Sequence, residues 1–271
     1  MTVSAGQLSA WLPAVMDIAD AAGREIMRIY QSGFSVTLKD DRSPRTEADL
    51  AAQRVIDAGL ARLTPRWPML GEESAPEVFE QRRAWRTLWL VDPLDGTREF
   101  VKRNGEFSVN IALVEDGEPV LGVVAGPARG ILYAAARGLG AVRRDDHGVM
   151  TPIHVQLPAS NPLRVLGSRS LGDATLERGL TRLGPRRRIG LGSALKFGLL
   201  AEGGGDLYVR RGPTSEWDTA AGHALVLEAG GGVVDLSGQP LRYNLRDELT
   251  NPSFLAYGDS SRDWAALLGG L

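Results

Sequence analysis

Residues 89–100 read WLVDPLDGTREF. Asp92 and Asp95 follow directly on an apolar run that reads as a core strand. Pro93 fixes its own φ and pushes Asp92 toward an extended backbone. Asp95 and Gly96 suit a turn. Thr97 could then cap a helix through REFVK, whose first N–H groups lack partners and suit a phosphate. Two carboxylates this close repel each other unless a cation lies between them. Hard oxygen donors without cysteine or paired histidine point to Mg²⁺ or a similar ion. The bland alternative is a surface turn, since Asp, Pro and Gly are ordinary turn residues.

Further acids occupy similar positions. GEES places Glu72 and Glu73 after another short apolar piece. SEWD places Trp217 and Asp218 at a helix start, where the dipole favours negative charge. TEAD places Asp49 in the first turn of a helix, where a surface capping role is equally natural. Each alone has a structural reading. Together they could supply the carboxylates of a two-metal phosphoryl site.

The elements that must position these residues show in the periodicity. Leu8, Leu12, Val15, Ile18, Ala22, Ile26 and Ile29 recur at helical steps, so residues 7–31 are predicted helical. A short strand and polar loop follow, then a helix from a Thr46 cap to Pro65. TLWLVD reads as a buried strand, and EFSVNIALVEDGEPVLGVVAGP as a hairpin turning at EDGE. GILYAAARGLGAVRR adds two strands, giving an antiparallel sheet preceded by helices. Beyond about residue 160, strands and helices alternate, and EWDTAAGHALVLEAGG is a long helix closed by glycine. One unit with two lobes is expected, about 1–155 and 156–271.

Composition removes several functions. The 271 residues carry a formal net charge of -2, so no basic surface for a nucleic-acid polymer is expected. There is no cysteine, which excludes disulfides, thiolate sites and a cysteine nucleophile. No apolar stretch approaches bilayer length, and no signal peptide is expected. The expected location is the cytoplasm, with peripheral placement on the inner face of the cell membrane as an alternative. The oligomeric state is left open. His147, His154 and His223 show no zinc-type spacing. His223 reads as a packed helix residue, Trp85 and Trp89 as core, and Arg186, Arg187 and Arg188 as a solvated strand edge.

VDPLDGTREF, GEES, NGEFSVNIALVEDG and GPTSEWDTAAGHAL together resemble the lithium-sensitive, magnesium-dependent phosphatases of the inositol monophosphatase superfamily. Within it, KRNGEFSVNIALV, GSALKF, LYVRRGPTSEWD and NPSF are similar to the bacterial 3'(2'),5'-bisphosphate nucleotidases of the CysQ type. The likeness runs from about residue 5 to about 257. It implies an α/β fold, a layered αβαβα sandwich of the inositol monophosphatase and fructose-1,6-bisphosphatase type. It also implies two or three Mg²⁺ per site. Glu72, Asp92 and the Leu94 carbonyl would hold one, and Asp92, Asp95 and Asp218 a second. Asp49 and Thr97 would hold and polarise the attacking water, and the backbone of Gly96 and Thr97 the phosphate. Equivalents of Ser193, Lys196 and Arg210 contact the nucleotide, chiefly the phosphate that is not cleaved. Read without the resemblance, Lys196 is a solvated helix charge and Arg210 an edge-strand charge. One departure is Leu171 in SRSLG, where related nucleotidases often carry histidine.

The implied reaction is hydrolysis of the 3'-phosphate of adenosine 3',5'-bisphosphate, or of its sulfated analogue, during sulfate assimilation. An inositol or sugar phosphate monophosphatase is the alternative within the superfamily. A metal- and nucleotide-binding regulator without turnover is the alternative outside it.

Overall fold

The computed structural model describes residues 2–33, 35–38, 44–168 and 174–268. Leu171 lies outside these residues. The first half opens with α1 (Ala5–Gln31), the strands β1 (Val36–Leu38) and β2 (Pro44–Thr46), and α2 (Glu47–Leu63). Then come β3 (Met69–Gly71), α3 (Pro76–Gln81), β4 (Thr87–Asp95) and α4 (Thr97–Val101). The run β5 (Ser108–Glu115), β6 (Glu118–Gly126), β7 (Ile131–Ala136), β8 (Gly140–Arg144) and β9 (Met150–Ile153) completes it. The second half holds β10 (Leu163–Gly167), α5 (Ala174–Thr181), β11 (Arg186–Gly190), α6 (Leu195–Ala201) and β12 (Leu207–Arg210). It ends with α7 (Glu216–Glu228), β13 (Gly232–Asp235), β14 (Phe254–Tyr257) and α8 (Trp264–Leu268).

Strands β3 to β9 form a seven-stranded sheet in sequence order. It is antiparallel from β4 onward, as the hairpin pattern predicts. The first pair departs from that expectation: β3 runs parallel to β4. The second sheet has the order β11-β10-β12-β14-β13, parallel across β11, β10 and β12 and antiparallel beyond. Strands β9 and β14 and helix α8 were not anticipated. They are four or five residues long, too short for a period to declare itself.

Three packed cores order the layers. The first joins α1 and α2 to one face of the seven-stranded sheet, through residues such as Leu8, Ile26, Ile56, Trp89 and Val123. The second lies between the two sheets and encloses α6 and α7, with Leu90, Val124, Phe197, Leu225 and Phe254. The third covers the outer face of the second sheet with α5 and α8, through Leu180, Leu207, Leu255 and Trp264. The order is therefore helix, sheet, helix, sheet, helix, the expected layered αβαβα sandwich. Every residue of β5 is buried, because helices cover both faces of its sheet.

Several smaller expectations hold. Asp116 and Gly117 turn the β5–β6 hairpin with positive φ at both positions. Trp89 is fully buried, and its indole N–H donates to Thr64 Oγ1 at 2.8 Å. Arg186 and Arg188 lie on an outer strand and pair with Glu177. No helix among the described residues is long and apolar enough to cross a membrane.

Candidate active site

The site begins where β4 loses its regularity. Asp92 stands opposite Asn110 of β5, but the next pair is Asp95 opposite Ser108. Three steps along β4 thus match two along β5, which is a bulge. Ser108 and Asn110 share a face, and their side chains meet at 2.9 Å. Asp92 and Asp95 therefore share that face, although residues three apart on a regular strand point oppositely. Pro93, which has no N–H to give, is tolerated in the interrupted ladder. The Leu94 side chain is fully buried in the outer core, and its N–H donates to Asp92 Oδ1 at 3.0 Å.

Gly96 then turns the chain with φ of 87°. A Cβ there would sit 3.0 Å from the Glu106 carbonyl oxygen, so glycine is required by both conformation and space. This corrects the assignment of Thr97 as the cap of α4. Gly96 holds the cap position, Thr97 is the first helical residue, and its hydroxyl donates to the Leu94 carbonyl at 3.3 Å.

Three other elements bring acids to this end of β4. The parallel pairing sets Gly71 opposite Val91, and the Glu72 N–H donates to the Val91 carbonyl at 3.4 Å. Glu72 is thereby placed beside Asp92. Its neighbour Glu73 faces Arg45 at 2.5 Å. Asp218 is the third residue of α7, where one oxygen accepts the Ser215 N–H at 2.8 Å. Asp49 occupies the same position in α2. Its Oδ2 accepts the Thr46 N–H at 2.8 Å and the Thr46 hydroxyl at 2.7 Å. Asp49 is fully buried, so the cap is not on the surface, and Oδ1 has no hydrogen-bond partner among the described residues.

Electrostatics ties these acids together. Burial pushes the Asp92 carboxyl well above the usual carboxylate range, and Glu72, Asp95 and Asp218 push it further. Asp218 is raised to about 8, by burial first and then by Asp95 and Glu72. Asp95 is raised by burial, against the opposing pull of Lys196 and of the Ala194 N–H. Asp49 is pushed up to about 6, mainly by burial. Among the described residues, no group of three or more acidic or histidine side chains is arranged to hold a metal ion as it stands. One oxygen of each of Asp49, Asp92, Asp95 and Asp218 is turned instead to a local donor. The donor set is nonetheless all oxygen and acidic, with a buried unpartnered oxygen on Asp49. That chemistry fits a hard divalent cation.

The opposite wall is basic. Asp95, Asp218, Ser193, Lys196 and Arg210 line a cleft of about 340 Å³, with Arg98 of α4 and Lys102 just after it also lining it. Lys196 is not a solvated helix charge. It is buried, donates to the carbonyls of Ser193 at 2.6 Å and Leu191 at 3.2 Å, and lies 5.3 Å from the Tyr208 ring centroid. Burial lowers its pKa to about 8. Arg210 is half-buried and its Nε has no hydrogen-bond partner. Ser193 precedes α6 and holds a left-handed backbone, φ 52°. A second cleft of about 420 Å³ shares Ser168, Tyr208 and Arg210 and adds the apolar Val165, Leu176 and Leu180.

His223 stands apart from this chemistry. Its Nδ1 lies 2.9 Å from the Tyr243 hydroxyl, and burial lowers its pKa to about 3. Sequence reasoning did not single out Asn110, whose amide donates to Asp95 Oδ2 at 3.4 Å. The strand pattern carries no signal for it, because a polar residue inside β5 looks like an ordinary interruption.

The profile described as the inositol monophosphatase family matches residues 7–264. The 3'(2'),5'-bisphosphate nucleotidase CysQ of Escherichia coli strain K12 is 48% identical over 245 residues, covering 90% of this chain and 98% of that protein. The crystal structure of CysQ from Bacteroides thetaiotaomicron superposes with a TM-score of 0.81 at 39% identity, covering 92% of this chain and 97% of its own. An inositol monophosphatase from Anabaena (Nostoc) superposes with a TM-score of 0.72 at 28% identity, over 96% of this chain and 95% of that one. With the profile match over residues 7–264 and the layered fold its sequence implied, the chain belongs to the inositol monophosphatase family.

Proposed function

We propose that this protein is a 3'(2'),5'-bisphosphate nucleotidase that hydrolyses the 3'-phosphate of adenosine 3',5'-bisphosphate to AMP and phosphate. The sulfated analogue, 3'-phosphoadenylyl sulfate, is a second substrate of the same chemistry. The observation that carries the reading is the facing of two walls in one cleft, acidic at Asp95 and Asp218 and basic at Lys196 and Arg210. A substrate with two phosphates needs both. A monophosphate needs only the first. The 48% identity to a bisphosphate nucleotidase supports the same choice.

Glu72, Asp92, the Leu94 carbonyl, Asp95 and Asp218 would hold two or three Mg²⁺. Such ions supply Lewis acidity and neutralise phosphate charge. The remaining residues orient the reactants. The backbone N–H groups of Gly96 and Thr97 would hold the phosphate. Asp49 Oδ1 and the Thr97 hydroxyl hold the attacking water in line. The water oxygen bonds to phosphorus and gives up one proton, the bond from phosphorus to the 3' oxygen breaks, and that oxygen takes up one proton in exchange. No phosphoenzyme forms. Ser193, Lys196 and Arg210 grip the phosphate that stays. The apolar residues Val165, Leu176 and Leu180 of the second cleft beside Arg210 suit the base.

This reading treats the chain as one catalytic unit of two lobes, since its acids come from both. It places the reaction in the cytoplasm, within sulfate assimilation. Phosphate release with Mg²⁺ from adenosine 3',5'-bisphosphate, inositol 1-phosphate and fructose 1,6-bisphosphate tests it, with and without lithium. A large preference for the nucleotide and inhibition by lithium are expected. A preference for inositol phosphate would overturn the substrate and leave the site.

A further inference from the structure

Glu106 lies in the NGEF stretch between α4 and β5 and is 2% exposed. It belongs to none of the roles above. Its Oε2 accepts the Gly192 N–H at 2.9 Å, and its Oε1 accepts Arg129 Nη2 at 3.0 Å. Its own N–H donates to Asn104 Oδ1 at 2.9 Å. The main chain is wedged as tightly. A Cβ on Gly192 would lie 2.5 Å from the Glu106 carbonyl oxygen, and one on Gly96 would lie 3.0 Å from it. One residue thus touches both the turn after Asp95 and the segment before α6.

That segment holds the strained Ser193. A left-handed non-glycine backbone persists only where its surroundings fix it. In this conformation the Ala194 N–H donates to Asp95 Oδ2 at 2.5 Å, and the Ser193 carbonyl accepts from Lys196 Nζ at 2.6 Å. The grip on Gly192 holds the segment from the side of the first lobe, two residues ahead of the Ala194 contact to Asp95.

We propose that Glu106 is a positioning residue: by holding the Gly192 N–H it fixes the left-handed turn at Ser193, and so sets the Asp95 carboxylate and the Lys196 ammonium across the cleft from one another. Glu106 touches no substrate and acts through the backbone. Arg129 neutralises its buried charge and leaves the second oxygen for Gly192. The inference rests on the proposed function, in which Asp95 and Lys196 serve different phosphates.

The test compares Glu106→Ala with Glu106→Gln, whose amide oxygen can still accept the Gly192 N–H. Mg²⁺ binding is read by calorimetry, turnover of adenosine 3',5'-bisphosphate as kcat and KM, and folding by thermal midpoint. For Glu106→Ala, Mg²⁺ affinity and kcat are each expected to fall roughly 10- to 100-fold, the range for lost supporting contacts to a metal site. Glu106→Gln is expected to stay within about 3-fold of wild type, because the Gly192 N–H keeps its acceptor. Equal losses in both variants would overturn the proposal, and so would a folded Glu106→Ala with wild-type Mg²⁺ binding and kcat. If Glu106→Ala does not fold, Gly192→Ala replaces it. The added methyl drives the segment off Glu106 without removing a functional group, and wild-type Mg²⁺ binding there would overturn the proposal. Asp92→Asn run in parallel separates the two ideas. Retained turnover in Asp92→Asn sinks the site itself, whereas its loss beside a normal Glu106→Ala sinks only the positioning role.

Discussion

Asp95 Oδ2 accepts the Ala194 N–H at 2.5 Å, across 99 residues of sequence. A side chain of the seven-stranded sheet thereby holds the main chain that leads into α6. The same carboxylate lies within the pull of Lys196, two residues further on. The acidic and basic walls of the cleft are therefore joined by a direct contact, and a change at one is felt at the other.

Asp92→Asn is expected to lower kcat by at least roughly 100-fold at saturating Mg²⁺, since it removes the acid proposed to serve both cations. The fold should survive. Burial and three neighbouring acids disfavour the charged form of Asp92, so a neutral isostere relieves repulsion. In EDTA, the thermal midpoint of Asp92→Asn should equal or exceed that of the wild type. Near-normal kcat would count against the site.

Asp49→Asn separates capping from chemistry. The asparagine oxygen can still accept from Thr46, so the start of α2 is kept. Asp49→Ala loses the cap as well, at about 1 kcal/mol. Both variants should lose turnover, while only Asp49→Ala should unfold at a lower temperature. Substrate binding to Asp49→Asn, measured by equilibrium dialysis, should stay near the wild-type value.

The acids also predict how stability depends on pH. Asp218 has a folded pKa of about 8 against 3.8 in the unfolded chain. The folded state therefore holds more protons between those values, and its stability falls as pH rises through them. His223 acts oppositely, with a folded value of about 3 against 6.5, but only below 6.5. From pH 6.5 to about 7 the Asp218 effect stands without that opposition, and nearer 8 Lys196, lowered to about 8, begins to oppose it. Thermal melts in EDTA should show a falling midpoint over this window, and Mg²⁺ should flatten the fall. A midpoint that rises from pH 6.5 to about 7 in EDTA would contradict the site electrostatics.

Lys196→Met keeps the stem that packs by Tyr208 and removes the charge. Its KM should rise roughly 10-fold for adenosine 3',5'-bisphosphate, in keeping with loss of a charge-assisted contact. The KM for a monophosphate should change much less. Equal effects on the two substrates would place Lys196 outside the second phosphate site.

Much of this was legible in the sequence where long periods speak. Helices α1, α2 and α7 and the β5–β6 hairpin follow from apolar spacing and from a turn of Asp116 and Gly117. The acids at strand and helix ends were visible as types in place. The parallel β3–β4 pair was not, because three residues carry no register, yet it is what delivers Glu72. Lys196 looked like a solvent charge because its polar partners are backbone carbonyls, which no sequence pattern displays. Glu106 drew no attention for the same reason: it answers an N–H group 86 residues away.

The bulge in β4 sets different rules for neighbouring positions. At 92 and 95 the residue type matters, since the carboxylates are used. At 94 the backbone oxygen receives the Thr97 hydroxyl while the side chain fills the core, so any apolar residue of similar volume should serve. The gap itself is a ruler. Removing one residue would return the Leu94 carbonyl to the ladder, and adding one would swing Asp95 off the shared face. The segment should therefore accept substitution between its aspartates far more readily than any change in its length.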